Sequence, residues 1–548
     1  MPEVTHTPTP RRRALIRRAI GVVAAAAVAA LITACGGGGS APALPPLHDP
    51  TGPESMFTSA AEITNPATAG ATIATLKSLG VDRVHVPLYW ATLAPDAASP
   101  HKPSFDATDP AAYPASAWAA YDSVVRQLKA SGMGIDMTLS PPPPRWAEGP
   151  GAPHPAVQID WAWRPSAAEF GQFVRAVATR YSGHYVPPGA SKPLPRVDFW
   201  SIWNEPDLGI HMAPEAIDHS TVEVAPRYYR AFVDAAWSAF GATGHGHDTV
   251  LIGELAPAGV RYGNGPGNFN SMPPLQFLRA LYCVDKNYQP LRGQAATARG
   301  CPATAAGSAR FAADHPGLFH ASGVADHPYP QGLAPNQVTP GEPDYAELAA
   351  TGNLEKILDR LQRIYGSTTK LPIWSTEFGY QTTPPDTEAG TVSPQTAAYY
   401  INWAEYLTWL DPRQRSYDQY LLTDPSNNSF ATGLLTAAGA PKPGLDAYRM
   451  PLFLPVTTTQ KGHPLDVWGC VRPAPDAAKA THRPQSVEIQ FSTGGSAPFR
   501  TVEHVPITNR HGYFEVRHTF PGSGDVRLTW SYPHGPEIHS RTVVITLR

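Results

Sequence analysis

The sequence predicts an α/β protein: a (β/α)8 TIM barrel followed by a C-terminal β-sandwich. Three observations carry that expectation. Between about residues 52 and 452, short apolar runs rich in β-branched and aromatic residues alternate with helical stretches. Beyond about residue 456 the alternation shortens to period two and helical patterns stop. No Gly-rich phosphate loop follows an early strand, which tells against a doubly wound open sheet.

Taken in order, the first strand is the weakest and falls near Met56–Ala60. The helical pattern "AGATIATLKSLG" leads into the strand "VDRVHVPLYW" (81–90), and "AYDSVVRQLKAS" leads into "GMGIDMTLS" (132–140). "VDFWSIWNEPD" (197–207), "DTVLIGELAP" (248–257), "GVADHPY" (323–329), "LPIWSTEFGY" (371–380) and "YDQYLLTD" (417–424) complete eight strands. Between them lie "AAEFGQFVRAVATRY", "YYRAFVDAAWSAFGAT", "LEKILDRLQRIYG" and "TAAYYINWAEYLTWL", each long enough for a covering helix. Residues 52–452 are therefore read as the barrel. Residues 456–548 hold "SVEIQFST", "FRTVEHVPI", "GYFEVRHTF", "GDVRLTWSY" and "RTVVITLR", separated by Gly, Pro and Asn turns, as in a small sandwich. Of its aromatic residues Trp468, Tyr513, Trp530 and Tyr532, alternation buries about half, so a packing module is favoured over a sugar-binding one.

Composition bounds the function. The 548 residues include 61 Pro and 46 Gly, but 10% aromatic content allows a sizeable core and argues against disorder. A formal charge of −3 offers nothing to nucleic acid, and four cysteines exclude a disulfide scaffold. No metal-ligand constellation or cofactor motif stands out, so no cofactor is expected. A monomer is expected.

The N-terminus sets the compartment. Five arginines between Arg11 and Arg18 precede an apolar run from about Ala19 to Ile32, too short to span a membrane comfortably. The run ends in Ile32-Thr33-Ala34-Cys35, followed by Gly36 to Ser40. This resembles a bacterial lipobox, which implies cleavage before Cys35 and lipidation of that cysteine. Residues 1–34 are then a leader and 35–51 a flexible linker. The expected location is outside the cytoplasm, held to the cell membrane by lipid. Loss of the leader removes five Arg and one Glu, taking the charge to −7, so no basic face contributes to attachment. Cys283 and Cys301 flank a polar loop and are expected to form a disulfide in that compartment, while Cys470 is left as a buried thiol.

In a barrel of this kind, chemistry sits at the C-terminal strand ends. The fourth strand ends in Trp203-Asn204-Glu205-Pro206-Asp207, the fifth in Glu254, the sixth in Asp326-His327-Pro328-Tyr329, and the seventh in Ser375-Thr376-Glu377-Phe378-Gly379. Glu205 and Glu377 thus end apolar strands three apart and face each other across the mouth. Glycosidic cleavage needs such a pair, one carboxyl to protonate the leaving oxygen and one to attack or activate water. A lone glutamate of this sort more often closes a loop; two opposed ones among aromatic residues reverse that balance.

"FWSIWNEPDL" (199–208), with "IWSTEFG" (373–379) 172 residues after the first glutamate, resembles the retaining clan A glycoside hydrolases of family 39 or family 5. The resemblance spans the barrel. It implies Glu205 as general acid/base, Glu377 as nucleophile, and Asn204 as a partner of the sugar 2-hydroxyl. It places His327 and Tyr329 where the nucleophile is oriented and the sugar subsite lined. Where such enzymes carry an arginine on strand two, Val84-His85-Val86-Pro87 offers His85 instead, with Arg83 nearly 7 Å deeper. The strand-eight region lacks the usual tryptophan, leaving Tyr417, Tyr420 or Asp424 as substitutes. Trp90, Trp146, Trp203 and Trp374 are near strand ends; Trp146, after a tetraproline run, is the favoured stacking platform, with Trp374 a further candidate. A loop-anchoring role is favoured for Glu254. The substrate class is carbohydrate. A catalytically silent carbohydrate-binding lipoprotein and an envelope transglycosylase remain as alternatives.

Overall fold

The computed structural model describes residues 47–48, 50–152, 162–217 and 220–548. The leader, Cys35 and most of the 35–51 linker lie outside the described residues. Eight strands form one parallel sheet: β1 (Glu54–Thr58), β2 (Arg83–Tyr89), β3 (Gly134–Ser140), β4 (Phe199–Ile202), β5 (Thr249–Leu255), β6 (Gly323–Asp326), β7 (Ile373–Ser375) and β8 (Ser416–Tyr420). Each pairs with its sequence neighbour from β1 through β7, and β8 returns to pair with β1. Closure between β7 and β8 is made by the Ile373 amide on the Arg413 carbonyl (2.9 Å) and the Arg415 amide on the Ile373 carbonyl (2.8 Å). The sheet is therefore a closed (β/α)8 barrel.

β1 ends at Thr58, two residues before the expected Ala60, because Ser59 and Ala60 already turn the chain into the helix Ala60–Thr64. β4 and β7 are shorter than their apolar runs. Trp203 (φ +69°) and Glu205 (φ +42°) leave extended geometry just after Ile202.

Alternation divides the strands cleanly. Val84, Val86, Leu88, Ile135, Met137 and Leu139 are fully buried in the core shared with the helices. Their neighbours point into the barrel and stack in layers. At the bottom, Phe199, Leu251, Ala325 and Trp374 pack together, and the Arg83 guanidinium lies 4.1 Å over the Phe199 ring while bonding Glu54 at 2.9 Å. Arg83 is thus committed deep in the barrel, as its register on β2 predicts. Trp374 belongs to this bottom plug and not to the mouth. A strand rises about 3.3 Å per residue, so three residues before Glu377 is roughly 10 Å below it.

The C-terminal region is two sheets around one apolar core containing Val467, Val487, Ile489, Val526, Leu528 and Ile545. The larger sheet runs Thr458–Thr459, Val543–Leu547, Gly524–Ser531, Gln485–Ser492, Arg500–Ile507, with Glu537–His539 on Gly524–Ser531. The smaller runs Tyr513–His518, Leu465–Cys470, Leu452–Phe453. Two details depart from the expectation. The strand Leu452–Phe453 draws the last residues assigned to the barrel into the sandwich. A helix, Ala474–Thr481, interrupts the strands; Pro475 in its first turn and four alanines favour it locally.

Barrel and sandwich belong to one compact unit, Leu47–Arg548. Phe453, Trp468 and Tyr513 pack on Tyr406 and Trp409 of the helix Pro394–Leu410. Within that joint Arg472 pairs with the buried Glu405 carboxylate, which also accepts from Tyr513 Oη at 2.8 Å. Gly80 ends the helix Ala69–Leu79 at φ +79°, and a Cβ there would meet the Arg472 backbone at 2.4 Å, so the joint admits only glycine at that point. Trp468, Tyr513 and Trp530 are buried, so these rings present no surface to a sugar. Cys283 and Cys301 form a disulfide, and Cys470 is a buried thiol. Among the described residues no helix is long and apolar enough to cross a membrane.

Candidate active site

The mouth of the barrel carries a cavity of about 440 Å³ lined by Glu205, Glu377, Tyr329, Tyr420, Phe430 and Gln331, among others. No Lys or Arg is among its described lining residues. Glu205 is aimed into it by the left-handed turn after β4. The Glu205 amide donates to the carbonyl of Glu254, itself left-handed (φ +49°) after the bulge at Gly253. Glu377 follows Thr376 at the end of β7.

Glu205, Glu377 and His327 each contribute an atom to a trio lying within 4.8 Å of one another. His327 Nδ1 stands 3.0 Å from Glu205 Oε1 and 3.6 Å from Glu377 Oε2. Tyr329 Oη donates to Glu377 Oε2 at 3.0 Å, and its ring is edge-on to Tyr420 and Phe430. An oxygen of Glu205 and an oxygen of Glu377 thus lie within 4.8 Å of each other across the mouth.

Burial would push the His327 imidazolium toward neutrality, but the Glu377 and Glu205 carboxylates outweigh it and hold the group at about 10. Burial raises Glu205, yet the hydrogen bond and charge of His327 bring it below the usual carboxylate range. Glu377 is raised, by burial and then by Glu205, with His327 only partly offsetting them. Between Glu205 and His327, the directions of these shifts favour the proton on the imidazole.

The remaining expected site residues separate. Asn204 lies beside Glu205 with Nδ2 3.5 Å from His211 Nδ1. Tyr420 is in the cavity wall. His85 lies beneath the cavity, fully buried, with Nδ1 3.0 Å from Thr58 Oγ1, and Nε2 2.6 Å from Thr138 Oγ1 and 3.1 Å from Glu254 Oε1. Trp146 does not reach the cavity. Its indole N–H donates to the Pro95 carbonyl at 3.0 Å and its ring packs edge-on to Trp90 and Phe105, because the loop after β3 folds outward over the helices. Trp90 and Trp203 are core residues; Tyr417 faces the helices and donates to the Ile401 carbonyl; Asp424 is taken by Lys442.

Sequence reasoning did not find His211, whose Nδ1 is 3.7 Å from Glu205 Oε2. It sits in a loop with no periodic signal. It also passed over Thr58, Asp136, Thr138 and Asp418, all buried inside the barrel. Asp136 and Thr138 did leave a trace, as polar residues at alternate positions of an apolar strand. A second trio with metal-ligand spacing, His85, Asp136 and Glu254, is fully buried. In both trios the imidazole nitrogen is already bonded to a carboxylate.

No protein-family model matches the chain, and no curated protein matches it in sequence. Among solved structures it resembles a family 39 glycoside hydrolase from Bacteroides cellulosilyticus WH2, at 14% identity over 87% of this chain and 81% of that one, TM-score 0.44. It also resembles a monomeric β-xylosidase from Caulobacter crescentus CB15 (13%, 86% and 95%, TM-score 0.44). An endo-β-1,4-mannanase from Thermotoga petrophila is a third (10%, 91% and 98%, TM-score 0.40). These neighbours are all glycosidases, but at such identities and TM-scores the fold rests on the strand topology and the chemistry on the site itself.

Proposed function

We propose that the protein is a retaining glycoside hydrolase that cleaves O-glycosidic bonds of a poly- or oligosaccharide through two displacements. The observation that carries this reading is the Glu205–His327–Glu377 trio, with atoms within 4.8 Å of one another, whose two glutamates line an aromatic-walled cavity. Glu377 attacks the anomeric carbon, and Glu205 protonates the departing oxygen. Glu205 then takes a proton from water as that water displaces Glu377. The Tyr329 hydroxyl fixes which Glu377 oxygen attacks, leaving Oε1 free for the sugar.

The proton that Glu205 must give is held at rest by His327, 3.0 Å away. Moving it from Nδ1 to Oε1 converts the resting trio into the active form, neutral imidazole, protonated Glu205 and ionised Glu377, without exchange with solvent. The uncharged wall suits a neutral sugar. The leader and Cys35 support a lipid-tethered position outside the cytoplasmic membrane.

A panel of aryl glycosides tests the reading. Glu377→Gln should lose turnover by several orders of magnitude. Glu205→Ala should keep activity only on substrates with good leaving groups and recover with azide, yielding a glycosyl azide of retained configuration. An inverted first product, or undiminished turnover in both variants, would refute the assignment.

A further inference from the structure

Below the cavity, hydrogen bonds link the two glutamates through the barrel interior. The Glu254 carbonyl accepts from the Glu205 amide at 3.0 Å, and the Glu254 carboxylate accepts from Thr138 Oγ1 at 2.6 Å and meets His85 Nε2 at 3.1 Å. His85 Nδ1 meets Thr58 Oγ1 at 3.0 Å. Thr58 Oγ1 lies 3.1 Å from the Thr376 carbonyl and 3.3 Å from Asp418 Oδ2, and Asp418 Oδ1 accepts from the Phe378 amide at 3.3 Å. The backbone on both sides of Glu377 is thereby held by the same chain of contacts that starts at Glu205.

Glu254 occupies left-handed backbone beside Gly253 (φ +107°), directly across from the left-handed Glu205. Two such residues joined by one hydrogen bond are costly for non-glycine side chains and point to a functional constraint. A loop anchor would need neither a fully buried carboxylate nor a buried imidazole on it.

We infer that Glu254 and His85 are a positioning pair for the two glutamates: Glu254 sets the Glu205 turn through its carbonyl and, through its carboxylate, keeps a charged imidazole beneath Glu377. The inference rests on the glycosidase reading. The groups facing His85 are Glu254 of β5, Asp136 of β3, Asp418 of β8, Glu377 after β7 and, with ring centroids 6.5 Å apart, His327 after β6. Burial disfavours the charged imidazole, but Glu254, then Asp136 and Glu377, hold it at about 9. The His85 charge in turn offsets part of the rise that burial and Glu205 impose on Glu377. His85 thus supplies from below the positive charge that Arg83, engaged with Glu54, cannot.

The test is Glu254→Gln, which keeps the side-chain size and the backbone carbonyl and removes the charge. Two readouts are needed. In full-length protein labelled at the histidine imidazoles, the His85 resonance, assigned by its loss in His85→Gln, should titrate about two pH units lower or more. The acidic limb of kcat/KM should move up by about one unit, since Glu377 loses a stabilising charge, with KM unchanged because neither residue touches the cavity. Glu254→Asp should restore part of both. His85→Gln, which removes the cation directly, should move the same limb if Glu254→Gln fails to fold. A merely structural role would lower melting temperature and active fraction without moving the limb, and that overturns the proposal. An unchanged His85 titration overturns it as well. Wild type inactive on every glycoside, with His85 still shifted by Glu254→Gln, would refute the glycosidase reading and leave the pairing intact.

Discussion

Replacing His327 with asparagine removes the titratable proton of the trio and keeps an N–H near the Nδ1 position. At 3.0 and 3.6 Å from the two carboxylates, a unit charge at an effective dielectric of about 20 feels roughly 5 kcal/mol from each, before the cost of burial. The net result is a proton held at about 10 against an ordinary 6.5, or close to 5 kcal/mol at 1.36 kcal/mol per unit. In His327→Asn that proton must sit on Glu205 itself, and a carboxyl gives it up more readily than the imidazole that His327 holds charged. The basic limb of kcat/KM should therefore fall from near 10 by about two pH units or more, costing about tenfold or more at pH 9. The assay is kcat/KM from pH 5 to 10 on two aryl glycosides, one with a poor leaving group and one whose leaving group needs no protonation. Only the first should show the displaced limb. An unmoved basic limb, or equal displacement on both substrates, would refute the proton-holding role of His327.

Other outcomes follow from the same contacts. Trp146→Ala should leave KM and kcat unchanged but cost about 3–5 kcal/mol in urea unfolding, because the ring fills a core with Trp90 and Phe105 and lies outside the cavity. Cys283→Ser with Cys301→Ser, or chemical reduction, should cost about 3 kcal/mol for a separation of 18 residues, seen as a lower denaturation midpoint without loss of activity in the folded protein. Asp326 is fully buried, and burial raises its carboxyl to about 8 against the opposing charge and amide of His327. A carboxyl raised on folding stabilises below its unfolded value and loses that contribution as pH rises through the folded one. Melting temperature should therefore fall between about pH 4 and 8, and Asp326→Asn should flatten that slope, by at most on the order of 5 kcal/mol at pH 9.

How far the site was legible depended on whether a residue's position follows from local geometry. Glu205 and Glu377 were readable because an apolar run with period-two alternation marks a strand, and barrel strands place their ends at the mouth. His327 and Tyr329 were readable as strand-six neighbours, though not that the imidazole leans on Glu205 more than on Glu377. The tryptophans were misplaced for two reasons. Trp374 has the right face but the wrong layer, because β7 spans only Ile373–Ser375 and Glu377 lies beyond it. Trp146 is in a loop, whose course is set by what it packs on. His211 was missed for the same reason.

The sequence alone determined the alternating strands and helices, the change to period-two strands after about residue 456 and the two opposed glutamates, since each is a consequence of backbone periodicity over neighbouring residues. Tertiary structure decided which inward-facing groups meet. His85 and Glu254 are 169 residues apart, and Thr58 and Asp418 are 360 apart. Their contacts exist only because β8 closes on β1 and the stagger of the strands brings those residues to one level of a buried interior, where an unpaired polar group is costly.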